Sequence, residues 1–168
     1  MIVEDGTGKT DANSYVTVDF ANDYFSVRGV SDWNIDTEKK EQLLIKATDF
    51  IDNIYQWLGK KEFESQALRF PRVDLRDYEG AEIKGIPLCL KQAVCDAALI
   101  NMSSELFQTQ EANGDVVSEK IGELAFTYSK TNKEAVTSST LYDSINTKLR
   151  GLYRDSSNRI VTGKVQRV

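Results

Sequence analysis

One apolar stripe, bounded by its own start and stop signals, constrains this chain more than any other feature. Leu43, Ala47, Phe50, Ile51, Ile54 and Leu58 recur at helical spacing and fall on one face of an α-helix. Asp36 or Thr37 supplies the N-cap, the helix runs to Trp57 or Leu58, and Gly59 closes it. A helix with one such face needs other elements to cover it. Three further patterns provide them. Thr17 is an N-cap for a short helix from Val18 to Arg28, with Phe20, Tyr24 and Val27 on one face and Gly29 as the stop. Pro87 stands where a first helical turn tolerates it, and Leu88 to Phe107 follows as a mostly apolar helix. Its Leu90, Val94, Ala97, Ala98 and Met102 point to burial on more than one face. A last helix from about Ser139 to Tyr153 carries Leu141, Ile145, Leu149 and Leu152. The expected fold class is mainly α, a small bundle of about four helices.

Two connections are not helical. Lys60 to Ile86 is a long inter-helix loop containing Ala67-Leu-Arg-Phe-Pro-Arg72 and the turn Tyr78-Glu-Gly80. Loops of this length are functional, packed by their own side chains, or shared with a neighbour. From Val116 to Ser129, Leu124, Phe126 and Tyr128 alternate with Ala125 and Thr127, flanked by Gly114 and broken at Gly122. That pattern predicts a β-hairpin or an extended pair of arms. Both excursions carry apolar residues (Leu68, Phe70, Leu75 and Ile83; Leu124 and Phe126) that a small helical core is not expected to cover alone. They are the expected subunit-interface residues.

Charge divides the chain. From position 148 onward Lys148, Arg150, Arg154, Arg159, Lys164 and Arg167 face one acid, Asp155. That is about +5, so the preceding residues carry about −10 of the net −5. After Tyr153, Ser156, Ser157 and Asn158 break the helix, and residues 159–168 alternate polar and β-branched side chains around Gly163. Such a segment frays as a terminus or docks on something else, and its basic, partly apolar character is that of a docking arm. The expected organisation is one body, residues 1–153, and an extended basic C-terminal arm, residues 154–168. A length of 168 residues and 40% hydrophobic composition suit one soluble domain with a single core.

Several chemistries are excluded or demoted. The chain has no histidine, so histidine-based nucleophile systems and histidine-ligated zinc have no residues to use. Cys89 and Cys95 lie six apart in one predicted helix, on different faces, and read as buried free thiols of a reducing compartment. The acids stand in no recognisable metal-binding loop, so no enzyme, metal or cofactor is expected. No apolar run approaches the ~18 residues of a membrane span. The N-terminus lacks the basic and apolar regions of a secretory signal. Gly6-Thr-Gly8-Lys9-Thr10 resembles the end of a phosphate-binding loop, but Val3 stands where its first glycine belongs and no helical run follows directly. A turn leading to the first helix is the expectation there.

The opening Met1-Ile-Val-Glu-Asp-Gly-Thr-Gly, with Asp11-Ala-Asn-Ser-Tyr15 and Ala21-Asn-Asp-Tyr-Phe25, resembles a group of small tailed-phage proteins. So do Ile45-Lys-Ala-Thr-Asp-Phe-Ile-Asp52, Gln66-Ala-Leu-Arg-Phe-Pro-Arg72, and Ser118-Glu-Lys-Ile-Gly-Glu123 leading to Tyr128. Phe70 stands where tryptophan is expected in Leu-x-Trp-Pro-Arg, a conservative departure. The resemblance covers roughly residues 1–130, and the tail only in character. Families of this kind are labelled DnaT-like single-stranded-DNA-binding proteins, and they also look like the head-tail adaptors, or head-completion proteins, of phage virions.

The adaptor resemblance implies a structural protein at the head–tail interface of a virion, made in the bacterial host cytoplasm. It would form a homo-oligomeric ring of about twelve copies under the portal, with contacts that close. Its partners would be the portal protein, downstream tail or head-closure proteins, and double-stranded DNA passing through the channel at ejection without sequence-specific binding. No membrane partner is implied. The arm would bind the portal: Ile160, Val161, Val165 and Val168 fill apolar pockets, while Arg154, Arg159, Lys164 and Arg167 meet acidic groups. The alternative is a single-stranded-DNA-binding replication accessory protein, which wants a basic groove and exposed aromatic platforms. The acidic body, and aromatics such as Phe50, Trp57 and Phe107 on or beside predicted helices, favour the adaptor.

Overall fold

The computed structural model describes residues 1–77, 79–103, 116–121, 124–129 and 143–154, with the backbone alone at 103, 116–121 and 124–129. Helix α1 spans Val18–Val27, α2 Thr37–Ile54 and α3 Leu88–Ser103, and residues 143–149 form helix α4. Two antiparallel ribbons accompany them: β1 (Lys60–Lys61) with β2 (Arg72–Val73), and β3 (Val116–Ile121) with β4 (Leu124–Ser129). The fold is thus mainly α with a small hairpin, as the patterning predicts. The second hairpin runs in register from Val116↔Ser129 to Ile121↔Leu124.

Helix α1 begins where expected, with the Thr17 hydroxyl accepting from Phe20 N at 3.1 Å. It ends at Gly29, where Gly29 N bonds Ser26 O and Val30 N bonds Phe25 O, both at 3.1 Å. This pair of bonds closes the last turn and needs the left-handed residue, Gly29 at φ 67°. The buried stripe is Ala21, Tyr24 and Phe25, with Phe20 partly covered; Val27 is 85% exposed and does not share it. The core thus lies one residue round the helix from the face read in the sequence.

Helix α2 opens after Asp36, whose side chain makes no capping bond. It buries Leu43, Leu44, Ala47, Phe50 and Ile51. The expected end at Trp57 or Leu58 is corrected. The helix stops at Ile54, itself exposed, and Tyr55 turns extended at φ −103°, ψ 141°. The continuation becomes strand-like because it gains partners: Leu58 N bonds Leu152 O, and Arg154 N bonds Gln56 O. Gly59 still punctuates the chain, as the point where the next ribbon passes. A Cβ there would lie 2.4 Å from the Val73 carbonyl oxygen.

Helix α3 buries Leu90, Ala93, Val94, Cys95, Ala97, Ala98 and Ile100, more than one face, as its composition predicts. The Pro87 carbonyl opens it by accepting from Leu90 N and Lys91 N. Its predicted continuation to Phe107 and the predicted start of the last helix near Ser139 lie outside the described residues. Ile145, Leu149 and Leu152 are buried as expected. The helical turns end at 149, before Tyr153; Gly151 at φ 89° reverses the chain and brings Tyr153 opposite Trp57. Among the described residues no helix is long and apolar enough to cross a membrane.

The long loop is packed by its own chain. Leu68, Phe70 and Leu75 are at most 6% exposed, and Ile83 is half-buried against the same core. Burying each such side chain contributes about 1.5–3 kcal/mol. The expectation that the core would leave Leu68, Phe70 and Leu75 uncovered for a neighbouring subunit is therefore corrected. The loop fills space between α2 and the chain's own N-terminal segment. Leu124 and Phe126 take part in the hairpin through their backbones; their side chains lie outside the described part.

Candidate nucleic-acid interface

A buried polar junction pins the loop to α2. Asp52, on the last buried turn of α2, accepts from the Tyr15 hydroxyl and, through its other oxygen, from Arg69 N at 2.9 Å. The Tyr15 oxygen in turn accepts from Phe70 N at 3.1 Å. Burial pushes the Asp52 carboxyl above its usual range, against the opposing pull of the Tyr15 and Arg69 hydrogen bonds. Burial and the neighbouring carboxylate push the Tyr15 hydroxyl well above its usual value. The segment Leu68–Phe70 thus threads past the end of α2 with its amides satisfied by two side chains, and the Phe70–Pro71 peptide is cis.

Arg72 completes the junction. Its guanidinium donates to the carbonyls of Leu58 at 2.6 Å, Gly59 at 2.9 Å and Arg69 at 3.0 Å, and stacks 5.9 Å from the Phe70 ring. The Ala67-Leu-Arg-Phe-Pro-Arg72 motif therefore works as a clasp: Arg69 and Phe70 offer amides to the Asp52–Tyr15 pair, and Arg72 ties the returning strand to residues 58–59.

Residues 56–61 consequently run between two partners, 152–154 on one stretch and β2 on the next. Three aromatic rings gather there. Tyr55 lies 5.4 Å from Trp57 and 4.6 Å from Tyr153, and Trp57 meets the buried Phe70 edge-on at 5.0 Å. Tyr55, Trp57 and Tyr153 are all half-buried, so each keeps part of its surface in water. Burial, and the Tyr153 hydroxyl beside it, push the Tyr55 hydroxyl upward, and it donates to Asn146 on α4. On the segments that adjoin this trio Lys60, Arg69 and Arg154 are exposed, Lys60 with its ammonium 3.9 Å from the Asp74 carboxylate, and Lys61 and Arg72 are half-buried on backbone carbonyls. Over residues 60–76 Lys60, Lys61, Arg69, Arg72 and Arg76 outnumber Glu62, Glu64 and Asp74 in a chain of net charge −5. Half-exposed rings beside cations are the two components of a single-strand surface. Phe63, 39% exposed in the same loop, lies instead against Gly8 of the N-terminal segment, where an added Cβ would come within 2.2 Å of its ring.

Of the arm residues, Arg154 is placed: it is exposed, with its amide bonded to Gln56 O at 2.8 Å. Arg159, Ile160, Val161, Lys164, Val165, Arg167 and Val168 lie outside the described residues. Lys148, counted in the sequence as tail charge, belongs to the body. Its ammonium bonds Asp96 on α3 and the Tyr24 hydroxyl on α1 at 2.8 Å. Tyr55, Trp57 and Gln56 are the residues that sequence reasoning missed as a surface. The alternation of Tyr55 and Trp57 with polar Gln56 is a period-two signal, hidden because it directly continues the helical stripe.

The phosphate-loop likeness is settled at the N-terminus. The buried Glu4 carboxylate accepts from Gly6 N, Gly8 N and Lys9 N at 2.8, 2.9 and 2.8 Å. Those amides already hold an internal anion, and α1 starts only at Val18. Among the described residues no group of histidine, cysteine, aspartate or glutamate could hold a metal ion. Cys95 is buried and its thiol pushed up to about 12, while Cys89 is half-buried rather than fully buried.

The family described as "putative DnaT-like ssDNA binding protein" matches the chain over residues 1–168. No curated protein and no solved structure matches it.

Proposed function

From its membership of the DnaT-like ssDNA-binding family over its whole length, we propose that the chain binds single-stranded DNA as an accessory protein. The observation that supports this reading most is the meeting of the half-buried Tyr55, Trp57 and Tyr153, with Lys60, Arg69 and Arg154 exposed on the adjoining segments. Bases would stack on the exposed parts of the rings, and phosphates would meet the cations. Neither interaction reads sequence, so binding would be sequence-tolerant. The acidic character of most of the body disfavours adhesion of the strand over the rest of its surface.

The test is fluorescence anisotropy of a labelled oligothymidine against salt. Three phosphate contacts give a log–log slope of about −2. Arg69→Ala and Lys60→Ala, both at exposed positions, should each flatten that slope by about 0.7. Trp57→Ala should weaken binding roughly 5- to 150-fold, the loss of one stacked base. Absence of binding at low salt, or binding indifferent to all three substitutions, overturns the reading.

A second reading is the structural phage adaptor, a ring under the portal that joins head to tail. What favours it is the exposed Arg154, from which the basic residues 155–168 continue, on a chain whose earlier residues are strongly acidic. An acidic wall lets DNA slide without adhering, and a basic arm complements an acidic partner surface. Native mass measurement with and without a cognate portal protein separates the two. Ring assembly that is lost on deleting residues 154–168 supports the adaptor, whereas tight DNA binding that survives this deletion rejects it.

A further inference from the structure

A concave feature lies at the other end of α2. The turn that closes α1, the Trp33 segment and the first turns of α2 enclose an open pocket of about 430 Å³. Phe25, Val30 and Trp33 give it an apolar side, with Trp33 tilted 43° against Phe25 at 4.7 Å. Asn22 and Lys40 give it a polar one. The Asn22 carbonyl oxygen accepts from Trp33 Nε1 at 3.2 Å and from Lys40 Nζ at 2.9 Å. With that oxygen doubly used, the group left to the pocket is the Asn22 amide nitrogen, a donor. Two of the three Lys40 protons are likewise left to give. Lys40 is half-buried and forms no carboxylate ion pair among the described residues. The lining residues include no acid; Asp32 accepts from the Ser31 hydroxyl, and Asp36 meets Lys40 through its backbone carbonyl, which accepts from Lys40 N.

A pocket with donors and a cation at one side and an apolar wall at the other fits a ligand that is anionic at one end and flat and apolar at the other. We propose that it takes one nucleotide of a bound single strand, with the phosphate on Lys40 and the Asn22 amide and the base against Val30, which covers the edge of the buried Phe25–Trp33 pair. The inference rests on the single-strand reading above and adds a second contact point to it. Lys40 and Ile54 are fourteen residues apart on one helix, so the pocket and the aromatic corner are separated by about 21 Å along α2. One strand occupying both would cover several nucleotides, within the site sizes of about 4–16 nucleotides common for such proteins.

The full chain carrying Trp57→Phe retains Trp33 as its single tryptophan, so its emission reports on the pocket. A labelled oligothymidine of about twenty nucleotides is titrated while anisotropy and Trp33 emission are followed together. The expected result is an emission change that saturates with the anisotropy. Lys40→Ala should weaken binding about tenfold and abolish the emission change, and Lys40→Arg should restore both. Normal anisotropy with unchanged Trp33 emission and an indifferent Lys40→Ala overturns the pocket and leaves the single-strand reading standing. Absence of binding by the unmodified chain overturns both. An equal emission change with inorganic phosphate alone makes the pocket a general anion site and refutes the nucleotide assignment.

Discussion

Tyr15→Phe isolates the junction that holds the long loop. Tyr15 is fully buried and its hydroxyl does two things: it donates to Asp52 and accepts from Phe70 N. The phenylalanine keeps the ring and its edge-on contact with Phe70, 6.2 Å between centroids, so the loss is almost purely polar. Leaving a buried N–H unpaired costs about 1–3 kcal/mol, and losing one bond to a buried carboxylate about 1.5–3 kcal/mol. The expected destabilisation is about 3–5 kcal/mol, a large share of the ~5–15 kcal/mol that holds a domain. At about 2–4 °C per kcal/mol for a chain of this size, Tm should fall by about 6–20 °C. Urea unfolding should show a lower midpoint at unchanged slope.

The same substitution carries a pH signature. Burial raises the Asp52 carboxyl above 3.8, and the Tyr15 bond pulls it back down. For an acid raised on folding, the group's contribution is fully present below the unfolded value and is lost as pH rises through the folded one. Removing the Tyr15 hydroxyl removes the downward pull, so the folded value rises further. The deficit of Tyr15→Phe should therefore be largest near neutral pH and shrink toward pH 4 and below, where a protonated Asp52 no longer needs the donor. Calorimetry of both proteins across this range is the check. A Tm change under about 2 °C, or a deficit independent of pH, refutes the assignment of the loop's anchorage to this pair.

Glu4→Gln replaces an acceptor of three amides by a group with one oxygen, and should cost about 2–4 kcal/mol; faster hydrogen exchange at Gly6, Gly8 and Lys9 is the local readout. Lys148→Met leaves the Asp96 carboxylate and the Tyr24 hydroxyl without their cation. At a site still partly open to water, the expected loss is about 1–3 kcal/mol, with residues 145–149 exchanging before the rest of the core.

The helices were legible because their signals are local. The Thr17 cap, the Gly29 stop and the apolar periodicity of residues 43–51 each act within a turn or two of themselves, and the structure uses all of them. The hairpin at 116–129 was legible for the same reason, through alternation over short distance. Where the reading failed, the deciding partner lay far along the chain. Residues 55–58 continue a helical stripe by composition, yet leave the helix because residues 152–154 offer backbone bonds there. Leu68, Phe70 and Leu75 look like surplus apolar residues until Asp52 and Tyr15, distant in sequence, draw their loop into the core.

The candidate site divides in the same way. Arg154 stood out by charge alone, because a net-charge asymmetry can be counted without geometry. The aromatic trio could not be read that way, since Tyr55, Trp57 and Tyr153 meet only after α4 and the Gly151 reversal have returned the chain to the end of α2. The sequence by itself determined which segments are helical, the Thr17 cap and Gly29 stop of α1, and the opposite charges of body and tail, all set by neighbours a few residues apart. The tertiary structure decided which surplus rings became core and which stayed half in water, because burial depends on which distant segment arrives to cover a side chain.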